Sequence, residues 1–451
     1  MKSKAETSRQ ASIEKHLSQL THSLEDRLAR TISDLVSIPS ENTPPEGNEY
    51  DCQCYVRDRF ASLGLEAETY DLDGVPGFIS HAAYRRGRDY TRRPNVAATW
   101  RGSGGGRSLL LSGHVDTVPR GSEPWKHDPF LASRDGNRIY GLGSNDMKGG
   151  IACMILAVEV LKKAGVRLSG DLLLETVVDE EFGGVNGTLA GRLRGHNADA
   201  AILCEPSQNA ICPAQTGGRT AHITIRGGSE GILYEGGTRA HPADQIHYVL
   251  GRIAEFARQR RRGAAVHPLY RTGQDPVPVW VTKISSGGWG THEPITIPPA
   301  CRLEVYWQAM PGEAKQDIDR EFNRWWDETV RGRPDLFPVK PEVRFPIEWL
   351  PGSAIDERHE LVTGLSVSFE DTTGMQALVQ GIGGPCDMFV LHQHFGIPAV
   401  LFGPKGGNTH APDEWIDFPS AVVTVETLAR FICRWCGTDG QAWQKDFAGF
   451  A

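Results

Sequence analysis

Between residues 95 and 214, short and mainly apolar runs alternate with stretches of helical period, and each run stops on a charged residue or a turn. NVAATW (95–100) and LLLSG (109–113) read as strands, and IACMILAVEVLKKAG (151–165) as a helix closing on glycine. LLLETVVDEE (172–181) and AAILCEP (200–206) again read as strands running into acids. A strand without polar alternation is covered on both faces, so this pattern predicts an α/β layer with a mostly parallel sheet. Ligands in such sheets sit beyond the carboxyl ends of the strands. The residues that follow each apolar run are therefore the ones to inspect.

In chain order these are His114 and Asp116 in SGHVDTVP, Asp146 in GLGSNDMKGG, Glu180 and Glu181 in VVDEEFGG, Glu205 in LCEPS and His410 in GGNTHAPDE. His114 and Asp116 are two apart, and on a continuing strand they would point the same way. Two imidazoles and several carboxylates make a nitrogen and oxygen ligand set that zinc, manganese or cobalt accepts. One carboxylate after a strand is usually a solvated turn; the conjunction is what argues for chemistry. The adjacent acids of DEE repel unless a cation or separate roles relieve them. If one glutamate ligates an ion, the other is free to accept a proton from water.

The chain has 451 residues, more than one core usually organises, and its 39% hydrophobic content supports a globular body of two domains. A net charge of -8 gives no footing for nucleic acid, and the basic run from Arg258 to Arg262 reads as the solvated end of a helix. The first twenty residues lack the apolar region of a secretory signal, and no segment is long and apolar enough to span a membrane. A soluble, cytoplasmic protein with no membrane partner is expected. Nine scattered cysteines read as reduced thiols, and the lone CxxC of Cys433 and Cys436 as core packing in a terminal helix.

After Cys212 the pattern changes. TAHITIRGG (220–228) reads as a strand, ADQIHYVLGRIAEFARQRR (243–261) as a helix, PVWVTKISSGG and CRLEVYWQAM as strands, and KQDIDREFNRWWDETVRG as a helix. That order predicts a small antiparallel sheet covered on one face, an inserted α+β domain of the split-βαβ, ferredoxin-like kind. The expected division is 1–214 and 334–451 for the catalytic domain and 215–333 for the insertion.

SGHVDTVP, GLGSNDMKGG, DEEFGG, CEPS and GGNTHAPDEW, in this order, closely resemble the dinuclear zinc amidohydrolases that include acetylornithine deacetylase, succinyl-diaminopimelate desuccinylase, aminoacylase and glutamate-releasing carboxypeptidases. The resemblance implies two divalent ions, zinc first and manganese or cobalt as alternatives. It implies that His114 and Glu205 hold one ion, Glu181 and His410 the other, and that Asp146 bridges them. Asp116 would hydrogen-bond the far nitrogen of His114, and Glu180 would be the general base for water activated between the metals. The implied reaction is hydrolysis of a C–N bond in a small molecule such as an N-acyl amino acid. A dipeptidase or carboxypeptidase, or a hydrolytic deaminase of an aromatic amine, would use the same centre. The inserted domain would act as a lid and form a homodimer.

Two departures bear on substrate. Relatives usually carry a segment like G-K-A-A-H-A in the lid, where this chain reads IRGGSEGILYEGG; His241 in TRAHPAD is the candidate replacement. Where relatives tend to place an arginine that pairs with a substrate carboxylate, LEVYWQAMPGE has Gln308. Glutamine cannot form the charged fork that suits a carboxylate. Either the substrate lacks the usual free α-carboxylate, or Arg239 or Arg219 binds it. Tyr306, Trp307 and Trp289 leave room for an aromatic acyl group, although strand aromatics are more often core.

Overall fold

The computed structural model describes residues 15–226, 230–231, 240–271, 275–293 and 296–438. The chain opens with helices α1 (Glu25–Ser37) and α2 (Tyr50–Ser62), strands β1 (Glu66–Tyr70), β2 (Asn95–Trp100) and β3 (Leu109–His114), and helix α3 (Lys148–Lys163). It continues with β4 (Leu172–Val177), α4 (Asn186–Arg194), β5 (Ala200–Leu203) and β6 (Ile211–Gln215). Next come β7 (Gly217–Arg226), α5 (Pro242–Gly263), β8 (Val279–Ser286), β9 (Ala300–Ala309), α6 (Lys315–Arg331) and β10 (Glu342–Arg344). The chain ends in α7 (Glu360–Thr373), β11 (Ala399–Leu401) and α8 (Phe418–Cys436). Two compact units result: 1–214 with 354–380 and 386–451, and 215–353 with 381–385. No helix among the described residues is long and apolar enough to cross a membrane.

The first unit is built on a large mixed sheet whose central order is β6-β11-β5-β3-β4-β2-β1. Only the middle of it, β11-β5-β3-β4, is paired in parallel; β6 pairs antiparallel with β11 at one side, and β2 pairs antiparallel with both β4 and β1 at the other. The expectation of a mostly parallel sheet is corrected accordingly. An apolar run such as NVAATW reports cover on both faces and carries no information about strand direction. Helix α3 is apolar nearly all round, and it is buried from Lys148 to Leu161. It packs against α1 and α8. Cys433 and Cys436 are free and buried in α8, as core packing requires.

The second unit has its own sheet, in the order β8-β9-β7-β10 with every pairing antiparallel. Cys301, Leu303, Val305 and Trp307 alternate along β9 toward one face, as the two-residue period of a strand dictates. There they meet Ile223 and Ile225 of β7, Val249, Ile253 and Phe256 of α5, and Ile318, Phe322, Trp325 and Trp326 of α6. Trp307 therefore belongs to this core. The boundary expected at 333 falls instead at Ser353, because Glu342–Arg344 pairs with His222–Thr224 of β7 and extends the sheet.

Trp307 is fully buried, stacks on Phe322 at 4.9 Å and meets Phe256 edge-on at 5.8 Å. Trp307→Ala is expected to cost about 3–5 kcal/mol of stability. Denaturant unfolding followed by circular dichroism checks this, and a loss below about 1 kcal/mol would contradict the packing.

Candidate metal centre

Because β3, β4 and β5 are parallel and in register, their carboxyl ends open at one edge of the sheet. His114 pairs with Val177, and Ser112 with Leu203. His114 is thus the last residue of its strand, while Glu180 and Glu181 follow β4 and Glu205 follows β5. Asp146 comes from the loop before α3, held close by glycine. A Cβ on Gly150 would lie 1.9 Å from the Cys204 carbonyl oxygen, so only glycine lets the first turn of α3 approach the end of β5. His410 arrives on the loop after β11 with φ +62°, as does Asp179 before the paired acids. That left-handed conformation costs a non-glycine residue about 1–2 kcal/mol and tends to persist where surroundings enforce it.

Six of the expected residues converge. His114 Nε2 lies 3.1 Å from Asp146 Oδ1, 3.7 Å from Glu205 Oε1 and 3.9 Å from Glu180 Oε2. His410 Nε2 lies 2.8 Å from Glu181 Oε2 and 3.5 Å from Asp146 Oδ2. Asp146 therefore presents one oxygen to each imidazole. Donor atoms of His114, Asp146 and Glu181 fall within 4.8 Å of one another, as do those of Glu180, Glu205 and Asp387. Asp387 was not singled out from the sequence: GGPCD offers no apolar strand ahead of the acid, and tertiary contact alone brings it in. Its carboxylate accepts a hydrogen bond from the Thr188 hydroxyl.

Asp116 requires a correction. Its carboxylate is 3.7 Å from His114 Nδ1, whereas the backbone carbonyl of Asp116 is 2.9 Å away and accepts from that nitrogen. A carbonyl can only accept, so the proton sits on Nδ1 and leaves Nε2 of the neutral ring free to ligate. The strand ends at His114, so side-chain alternation lapses before Asp116. The carboxylate does different work: Oδ2 accepts from the amides of Glu180 at 2.9 Å and Glu181 at 3.1 Å and from Asn42 Nδ2 at 2.9 Å. Asp116 thereby pins the backbone of both glutamates. Asn42, buried in a short hairpin where it pairs with Gly47, is a further residue the sequence did not announce.

Electrostatics follow from crowding. Burial lifts Glu180 and Glu205 well above the ordinary carboxylate range, with His114 opposing it and neighbouring acids adding to it. Burial works against charge on the imidazoles, yet Glu205, Asp146 and Glu180 hold His114 well above its usual value. Glu181 and Asp146 likewise push His410 up to about 12. Burial also opposes ionisation of Asp146, but both histidines hold it far below the ordinary range. Asp116 Oδ1 is buried with no hydrogen-bond partner among the described residues. Five clustered carboxylates facing two imidazoles, with a buried oxygen unpaired nearby, form a donor set suited to divalent cations of the zinc, manganese or cobalt type.

The other expected residues belong to the second unit. Gln308 is buried, and its Nε2 donates to the Gly383 carbonyl at 2.9 Å. Arg219 pairs with Asp319 at 3.0 and 3.3 Å and lies 3.9 Å above the Phe345 ring. His241 is the residue before the first turn of α5, and Arg239 lies outside the described residues.

The sequence pattern of peptidase family M20/M25/M40 matches residues 110–434, and the chain belongs to that family. It is an amidohydrolase or metallopeptidase of this group. It is 28% identical over 449 residues to N-formyl-4-amino-5-aminomethyl-2-methylpyrimidine deformylase of Halalkalibacterium halodurans, which covers 94% of this chain and 97% of the relative. Among solved structures, the dipeptidase Dug1p of Saccharomyces cerevisiae matches with a TM-score of 0.72 at 15% identity, over 93% of this chain and 98% of that one. The Bacillus subtilis YXEP protein, described as a dinuclear metal-binding peptidase of the M20 family, matches with a TM-score of 0.58 at 17% identity, over 91% and 98%.

Gly150→Ala tests the close approach that carries Asp146 to the strand ends. The added methyl would displace α3 from β5, and a loss of at least about 1–3 kcal/mol is expected in denaturant unfolding. An unchanged midpoint would show that the approach is not needed.

Proposed function

We propose that the protein hydrolyses the amide bond of a small N-acyl amine whose leaving part carries no free α-carboxylate, using two divalent metal ions. The observation that carries this reading is Asp146, with one oxygen toward His114 and the other toward His410. His114 and Glu205 would hold one ion and Glu181 and His410 the other, with Asp146 shared. Bound there, divalent ions of the zinc type supply Lewis-acid polarisation of the scissile carbonyl and lower the pKa of water toward neutrality. Two ions suit this centre, and the Bacillus subtilis YXEP protein is named as a dinuclear metal-binding peptidase.

Glu180 acts as the general base. Its carboxylate takes the proton of the attacking water and returns it to the nitrogen as the C–N bond breaks. Packed among Glu205 and Asp387, it sits where bulk water is scarce, and its backbone is fixed by Asp116. Asp116 thus serves catalysis by orienting the two glutamates.

Substrate class is argued from the second unit. Gln308 replaces the cation that would pair with a carboxylate, and its amide is already engaged by Gly383. Arg219 is committed to Asp319. The Halalkalibacterium halodurans relative is named for removing a formyl group from an aminomethylpyrimidine, an amine with no carboxylate in its name. A formyl or other short acyl group on an aminomethyl-heteroaromatic amine is the substrate class these features support. Dipeptides and N-acyl amino acids demand a carboxylate partner, and the engagement of Gln308 and Arg219 weighs against them, which leaves Arg239, outside the described residues, as the candidate cation.

Three outcomes are expected. Glu180→Gln should lower kcat by at least about 100-fold while the metal content measured by elemental analysis stays near that of the parent; activity within tenfold of the parent would remove Glu180 from its role. Exhaustive chelation should abolish turnover, and zinc, manganese or cobalt should restore it; full activity in the chelated protein would refute the metal reading. Across a panel of N-formyl and N-acetyl amines, kcat/KM should be higher for aminomethyl-heteroaromatic compounds than for N-acyl amino acids or dipeptides, and the reverse order would overturn the substrate class.

A further inference from the structure

Glu414, the second acid of THAPDEW, is 1% exposed and forms no salt bridge among the described residues. Its carboxylate is occupied entirely by backbone. Oε2 accepts from the Gly143 amide at 2.9 Å, and Oε1 accepts from the amides of Asn145 and Asp146, both at 2.9 Å. The main chain adds a further tie, from the Gly141 amide to the Glu414 carbonyl at 2.9 Å. Asn145 Nδ2 donates across the same gap to the Thr409 hydroxyl at 2.7 Å. The loop before α3 and the loop after β11 are therefore laced together along the stretches that deliver Asp146 and His410.

A buried carboxylate costs several kcal/mol in desolvation unless its oxygens are well paired. Three N–H groups converging on two oxygens need an acceptor on each oxygen. A carboxyl group can accept on both oxygens, whereas a glutamine would turn an NH2 toward a backbone N–H. The choice of an acid at this dry position is thus explained by the loop it holds.

We propose that Glu414 is a positioning residue: by gathering the amides of Gly143, Asn145 and Asp146 it sets the separation of Asp146 from His410, and through it the affinity of the centre for its second ion. The inference rests on the metal reading above. Glu414 touches neither substrate nor reacting atoms.

The test is titration of the metal-free 451-residue chain with cobalt(II), followed by the visible absorption of the bound ion, for the parent and for Glu414→Gln. Weaker binding by about 10–100-fold is expected in the variant, since partners behind metal ligands typically contribute that much. In the cobalt-loaded enzymes kcat should fall by about tenfold or more, with KM changed by less than about threefold. A role confined to stability would lower the melting temperature and leave the cobalt affinity of the folded protein unchanged. Cobalt affinity and kcat both within twofold of the parent would overturn the inference. If Glu414→Gln does not fold, Thr409→Val, which removes the second tie, should weaken cobalt binding by about 3–10-fold, and unchanged binding would be equally fatal. A parent that binds no cobalt would overturn the metal reading, and this inference with it.

Discussion

Mutual repulsion among buried carboxylates is the constraint on which the centre depends. Asp146, Glu180, Glu181, Glu205 and Asp387 occupy one small volume with two imidazoles to balance them. Ionised groups so placed cost several kcal/mol each unless cations and hydrogen bonds compensate. Burial opposes charge on both histidines, and the surrounding acids favour it, the compensating role that divalent ions would take over when bound. Folding such a cluster requires a frame that does not yield, and the parallel strands β11, β5, β3 and β4 provide it at their carboxyl ends.

The frame reaches the ligands through backbone amides. Asp116 gathers the amides of Glu180 and Glu181, and Glu414 gathers those before and at Asp146. Each is a buried acid that fixes the chain on either side of a ligand. Behind Asp116, Asn42 also meets Asp179 and accepts from Arg93, which is paired in turn with Glu49. The polar interior thus runs from the first loop of the chain to the metal centre. Networks of this kind rigidify when every member is satisfied, and in this one Asp116 Oδ1 has no partner among the described residues.

Much of the site was legible because its residues sit at places a sequence can mark. His114, Glu180, Glu181 and Glu205 each follow an apolar run, and Asp146 and His410 lie in glycine-rich loops. Residues that act through space alone were not legible. Asp387 follows a short strand, Val379–Ile382, that no apolar run marks, Asn42 lies in a short hairpin of polar residues, and Glu414 is only the last acid of a loop marked for its histidine. The role first assigned to the Asp116 side chain failed for a local reason: the strand ends two residues earlier, and extended alternation ends with it. Strand direction was equally hidden, since burial on both faces makes β2 as apolar as a parallel strand.

The amino-acid sequence by itself determined the alternation of strand and helix, the second unit's two-residue periodicity, and the identity of the acids and imidazoles able to hold a metal. These follow from burial and from donor chemistry, which are properties of residues and their spacing. Tertiary structure decided which of those groups meet, which oxygen of Asp146 faces which imidazole, and that Asp116 binds amides while its carbonyl binds His114. It also decided that Gln308 and Arg219 are already engaged. Such assignments depend on distances of a few tenths of an ångström between segments hundreds of residues apart, and only the packed sheet, with glycine allowing α3 its close approach, sets them.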